Sequence, residues 1–348
     1  LGIHGVWGHG LLYQEVIHIP LILWRPGLLP EGVRIKGFAQ HVDIAPTLLD
    51  LMGIAQEGKT IISHIGAPSF TPGGGVVEVN MEEVVRKALE KASSLGLEVQ
   101  RGGSFLLDET VIFKTLSNEL RKYDILYLDI REALSNYRDL VEEYSRKIGV
   151  KISEKVSGGV LLYIPENVKV RDPIFTCFAI SKPGFTQKIA NLYIVEDGGE
   201  AVAAKGCLAY VWEGAHVGLT GVYLGKGAKL VSVMLHNWMP KVAVSAYTKV
   251  LALDDAELYE YYINLTSLYK IRFLVDILLK GEGAKAKSDM VIIGKGTSDM
   301  TYEVNAKLLG ENSSAELRSR ILGRENSKVV AKASITASAS ETRGHIAV

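Results

Sequence analysis

Between Gly158 and Trp238 the chain breaks into short β-rich runs that never settle into a helical period, and this limits what it can fold into. The runs Val160–Ile164, Leu192–Val195, Ala201–Ala204, Val222–Leu224 and Leu230–Leu235 are mostly β-branched or aliphatic, and turns carrying Gly, Asn or Asp separate them. A similar corner recurs as "VEDGGEAV", "LGKGAKLV" and, further on, "IGKGTSDM". That loose recurrence predicts coils of a β-solenoid, where each rung buries its face against the next. Many short strands would equally suit a jelly roll or a sandwich, so periodicity alone leaves those folds open.

Charge and composition narrow the function classes. With 39 basic and 39 acidic residues there is no electrostatic case for nucleic acid or for an anionic membrane, and neither is expected as a partner. The 348 residues are enough for two domains with a sizeable core. No uncharged run reaches the ~20 residues that a membrane span needs, and no signal peptide is visible. Cys177 and Cys207 form no CxxC pair, which argues against a disulfide framework and makes a reducing cytoplasm the default setting.

The segments "GVLLYIPENVKVRDPI", "IVEDGGEAVAAKGC", "KLVSVMLHNW", "AELRSRILGRENSKVVAKASI" and "ETRGHIAV" follow one another between Gly158 and Val348. In that order they resemble the successive signatures of the SufB/SufD family, the scaffold proteins of iron–sulfur cluster assembly. The resemblance implies a mainly β fold, a right-handed parallel β-helix over 158–348, preceded by a helical or α+β region over 81–157. It also implies partners: a SufC-type ATPase and a second SufB/SufD-type protomer, as a homo- or heterodimer. No cofactor is expected on this chain alone, the cluster being held transiently at an interface of the complex.

Four residues of the solenoid are candidates for sulfur- or cluster-related chemistry. Cys207 ends "AAKGC", on the approach to a strand, and resembles the cysteine that SufB-type relatives use to accept sulfur; its plain alternative is a small apolar core filler. Glu213 and His216 form an E-x-x-H, but "EGAH" does not sit in a helical pattern, so the helical metal-site reading fails. By the resemblance His216 begins a long strand; by the residues alone it reads as a hydrogen-bonded histidine at a turn. His236 in "LHNW" packs or hydrogen-bonds between rungs, and Cys177 belongs to the core. His345 in "ETRGHIAV" is a further candidate, whereas Val348 stands where SufB-type proteins place an interface cysteine. That departure points to a SufD-like or archaeal SufB/D-like member. The family's terminal helices, which dock the ATPase, would lie past Val348, and an isolated chain is expected to pair poorly.

The first residues read differently. "LGIHGVWGHGLLYQEVIHIPLILWRPG" and "QHVDIAPTLLDLMGI" resemble the late part of a sulfatase of the alkaline phosphatase superfamily, over residues 1–54. By that likeness His4 and His9 are anion contacts, on a backbone loosened by Gly2, Gly5, Gly8 and Gly10. A small α/β fragment over 1–58 follows, with a strand at Val16–Trp24 and a helix near Val42–Met52, then a Gly-rich linker over 59–80. The nucleophile in its C/S-x-P-x-R setting and the calcium-binding acidic cluster are absent from this sequence, and hydrolysis needs both.

Met81 reads as a second start. "MEEVVRKALEKASSLG" predicts an amphipathic helix, Val99–Phe113 a hairpin around Gly102-Gly103, and Gly149 the end of the last helix before the solenoid. "GKGTSDM" and "LGKGAKL" lack the Walker spacing, so nucleotide chemistry belongs to a partner. The readings at this point are a noncatalytic assembly scaffold, or a sulfatase-family hydrolase defined by residues 1–54. A carbohydrate-active β-helix fails because Asp254 and Asp255, adjacent on a strand, would point oppositely.

Overall fold

The computed structural model describes residues 102–116, 122–264 and 266–348, with isolated positions between 86 and 99. The chain divides into two units, Leu1–Glu78 and Val79–Val348. The first unit lies outside the described residues, and with it His4, His9, the strand at Val16–Trp24, the helix at Val42–Met52 and the linker.

The second unit is a two-sheet parallel solenoid. In one sheet β1 (Gly103–Leu107) is followed in space by β5 (Ile174–Ile180), β7 (Glu200–Ala209), β9 (Lys229–Asn237), β11 (Glu257–Asn264), β13 (Lys285–Gly294), β15 (Ser314–Gly323) and β17 (Arg343–Ala347), with β2 (Thr110–Thr115) antiparallel at the outer edge. In the other, β3 (Leu126–Asp129) is antiparallel to β4 (Gly158–Ile164), and then come β6 (Thr186–Val195), β8 (Glu213–Leu224), β10 (Lys241–Ala252), β12 (Lys270–Leu279), β14 (Asp299–Leu308) and β16 (Lys328–Ala337). Successive strands alternate between the sheets, as a coil with two strands per turn requires. The solenoid expectation holds, and the sandwich and jelly-roll alternatives fall away because the strands from β4 to β17 pair in parallel.

One corner of each coil places a residue at left-handed φ: Asn167, Gly198, Gly227, Asp255, Gly283, Asn312 and Glu341, recurring every 28 to 31 residues. "VEDGGEAV" and "LGKGAKLV" belong to this corner, while "IGKGTSDM" turns the opposite one at Gly296. Here the corner N–H of each coil donates to a carbonyl of the next: Asn167 to Asp197 at 2.8 Å, Gly198 to Lys226 at 2.7 Å, Gly227 to Asp254 at 2.7 Å. The row continues from Asp255 to Glu282 at 2.7 Å, Gly283 to Glu311 at 2.8 Å and Asn312 to Ser340 at 3.2 Å. Asp254 and Asp255 therefore sit in a turn between β10 and β11, not on a strand as the sequence argument had them.

Inside the coils, alternate residues of both sheets form one apolar column that includes Tyr193, Leu230, Leu258, Ile271 and Tyr302. Two helices, α1 (Ile130–Asn136) and α2 (Arg138–Ile148), lie on the outer face of the second sheet and bury Ile130, Ala133, Val141 and Ile148 against Leu161, Leu192 and Ile194. Asp129 caps α1 by accepting from the Arg131 N–H at 2.9 Å, and Gly149, at φ 76°, closes α2 as expected. On the outer face of the first sheet, Leu97 and Val99 pack with Phe105, Cys177, Ala179 and Leu208. The described positions 86, 89, 90, 92 and 93 are helical.

The hairpin of this region does form, but its turn is at Asp108-Glu109 and not at Gly102-Gly103. Gly103 is needed elsewhere: a Cβ there would lie 1.8 Å from the Phe175 carbonyl oxygen of the neighbouring strand. Asp108 takes the turn at φ 55°, and its carboxylate accepts from the Ser181 N–H at 2.7 Å and the Ser181 hydroxyl at 2.6 Å. Through β1 and β2 in one sheet and β3 in the other, residues before 158 supply one edge of each sheet.

Candidate functional site

Strand alternation decides which side chains enter the solenoid. On β7 the inward set includes Ala203, Lys205, Cys207 and Ala209; on β8 it includes His216, Gly218 and Thr220; on β9, Ser232, Met234 and His236. Register then stacks Cys207 between Phe178 and His236, one coil to either side. Gly218 and Ala246 are too small to fill the space opposite, leaving an enclosed cavity of about 20 Å³. Lys205, Cys207, His216, His236, Asn191 and Thr220 line it, and its size is that of about one water molecule.

His216 is held in a single tautomer. The Gln187 amide nitrogen donates to the Asp108 carbonyl at 2.8 Å and the Ala179 carbonyl at 3.1 Å, so its oxygen is left to face His216 Nδ1 at 3.0 Å. Nδ1 must donate, and Nε2, which points toward Gly218, keeps its lone pair. Burial draws the His216 pKa down to about 4. His236 bonds through Nδ1 to the Tyr262 hydroxyl at 2.7 Å, and burial, then His216 and Lys205, hold it well below the ordinary range. Both imidazoles are neutral at pH 7.

Trp238 lies between them, its ring 4.9 Å from that of His216 and 5.5 Å from that of His236. Its indole N–H is buried without a hydrogen-bond partner. Burial pushes the Cys207 thiol up to about 12, with Lys205 acting against the rise. Lys205 is itself lowered by burial and supported by Glu260, whose carboxyl is raised by the same dry surroundings. The interior thus combines two neutral imidazoles with a thiol and an amine whose charged forms burial disfavours.

The sequence candidates fare unevenly. Cys207 lies within β7, near its end, and His216 is a buried strand residue, neither at a turn nor exposed. Glu213 is exposed at the start of β8. Three residues along a strand reverse the face, so Glu213 and His216 are not brought together. His345 is exposed on β17, beside a groove of about 350 Å³ that Lys287, Glu316 and Arg343 also line. Cys177 pairs in register with Gly206, so it faces away from the coil interior that Cys207 enters, into the apolar cluster beneath Leu97. Among the described residues no three His, Cys, Asp or Glu side chains gather as a metal site.

Sequence reasoning missed Lys205, Gln187, Glu260 and Trp238. The available signal was parity together with coil length. Lys205 stands two residues before Cys207 on the same face, and His236 stands one coil after it.

Comparison with known proteins now bears on this geometry. Residues 178–347 match the family described as SUF system FeS cluster assembly, SufBD core domain, and residues 2–54 match the sulfatase family. The chain is similar to an iron–sulfur cluster assembly SufBD family protein of Archaeoglobus fulgidus, with 27% identity over 74% of this chain and 71% of the relative. It is likewise similar to one of Pyrococcus horikoshii, with 26% identity over 83% of this chain and 68% of the relative. A third, from Methanothermobacter thermautotrophicus, is 25% identical over 76% and 68% respectively.

Proposed function

Because residues 178–347 belong to the SufBD core family of the SUF iron–sulfur cluster assembly system, we propose that this chain is a noncatalytic scaffold subunit of a SUF-type assembly complex. It works with a SufC-type ATPase and a second SufB/SufD-type protomer, in the cytoplasm. The cluster is cargo, carried at an interface of the complex. The observation that supports this reading is the coincidence of the family match with a closed solenoid whose interior carries Cys207 beside two neutral histidines.

Within the reading, Cys207 accepts sulfur. A thiol walled off from solvent protects a reactive sulfane sulfur from side reactions, and neutral imidazoles do not compete with it as charges.

The test is co-purification of the complete gene product with a SufC-type ATPase and a second family protomer. A stable complex that assembles clusters, and that loses sulfur retention in Cys207→Ser, is expected. A monomer that ignores both partners would sink the assignment. No specific observation favours a hydrolase reading, and residues 1–54 enter this proposal only as a sulfatase-like segment.

A further inference from the structure

A buried ammonium is expensive unless a carboxylate closes on it. Lys205 is 3% exposed, lines the chamber and lies within electrostatic reach of Glu260 and Cys207. It lies over the Tyr193 ring, 4.9 Å from the centroid. Glu260 faces the same interior but is offset by two residues of register: Lys205 stacks on Met234, whereas Glu260 stacks on Ser232 and accepts from Ser288 at 3.2 Å. A lysine kept inside on a different register row from the carboxylate is placed for the chamber itself.

Cys207 is two residues away. Lys205 and Cys207 share the inward face of β7 and line the same enclosed cavity. The other walls offer no second cation: His216 and His236 are neutral, and Asn191 and Thr220 are uncharged. We infer that the Lys205 ammonium is a positioning group that stabilises the sulfur of Cys207 as an anion, thiolate before sulfur uptake and persulfide after it.

The inference rests on the reading of Cys207 as a sulfur acceptor. In the step, Cys207 Sγ attacks the terminal sulfur of a donor persulfide. The sulfur–sulfur bond of the donor breaks, a sulfur–sulfur bond to Cys207 forms, and the Cys207 proton leaves with the donor thiolate as a thiol. No external oxidant or reductant is required. An attacking sulfur must be ionised, and an ammonium on the same face is what allows this in a dry chamber.

The experiment incubates the full chain with inorganic polysulfide and reads persulfide on the Cys207 peptide by mass spectrometry, with Cys207→Ser as the blank. Lys205→Met keeps the stem and removes the charge. At least tenfold lower occupancy is expected, with a melting temperature no lower than that of the parent. Lys205→Met combined with Glu260→Gln leaves an uncharged interior and should behave the same way. Loading equal to the parent in either variant overturns the inference, as does an unfolded Lys205→Met, which would assign the lysine a structural role. If the parent itself takes up no sulfur at Cys207, the acceptor reading fails first.

Discussion

Gln187 accepts from His216 Nδ1 at 3.0 Å because its amide nitrogen is already committed to two backbone carbonyls. One side chain thereby ties the first hairpin, through Asp108, to the chamber wall one coil further on. Gln187→Leu removes all three bonds and leaves the His216 N–H buried without an acceptor. A loss of about 3 kcal/mol in unfolding free energy is expected from orphaned buried groups. Urea denaturation checks it; a change below about 1 kcal/mol would mean that water replaces the glutamine.

Acid should loosen the solenoid through its histidines. Folded His216 titrates near 4 against an ordinary 6.5, so the unfolded chain takes up the proton first as pH falls. Stability therefore declines from about pH 6.5 down to about 4, by about 3 kcal/mol for this residue. His236 acts in the same direction, while Glu260, raised by burial, has the opposite slope above its ordinary value. Comparing unfolding midpoints at two pH values with those of His216→Gln isolates the term. An equal acid loss in both proteins would show that His216 is not held neutral.

Two glycines at positive φ should respond very differently to the same substitution. A Cβ on Gly184, at φ 71°, meets nothing within 4 Å, so Gly184→Ala should cost only the backbone strain, about 1 kcal/mol. A Cβ on Gly159 would stand 1.7 Å from the Ala190 carbonyl oxygen of the paired strand. Gly159→Ala must break that pairing and is expected to cost more than about 3 kcal/mol or to yield no soluble protein. Thermal melts that fall equally would contradict the close approach of β4 and β6.

For the sulfatase-like residues, no turnover of an aryl sulfate is expected with calcium present, since the family nucleophile is missing from this sequence. Activity above that of His9→Ala would reverse this.

The solenoid is legible because short aliphatic and β-branched runs recur between turn residues, and because Gly198 and Gly227 repeat one corner motif. The chamber is only half legible. Cys207 and His216 stand in recognisable motifs, but Lys205 looks like any solvated lysine until coil register turns it inward. The Gly102-Gly103 hairpin reading failed for a related reason: local sequence cannot tell a glycine that turns the chain from one that lets a neighbouring carbonyl in. Glu213 shows the same limit, since a motif spacing suited to a helix separates its ends on a strand.

The stacked corner has an electrical consequence. Each peptide unit in it accepts from the coil before and donates to the coil after, so the Glu166–Asn167 and Ser340–Glu341 units are the ends of one unbroken row. Peptide dipoles of about 3.5 D aligned head to tail add and polarise one another, as they do along a helix axis. Every N–H in the row points toward the later coil. The row's positive pole therefore lies at its Ser340–Glu341 end and its negative pole at Glu166–Asn167, so the two ends of one corner differ in the charge they favour.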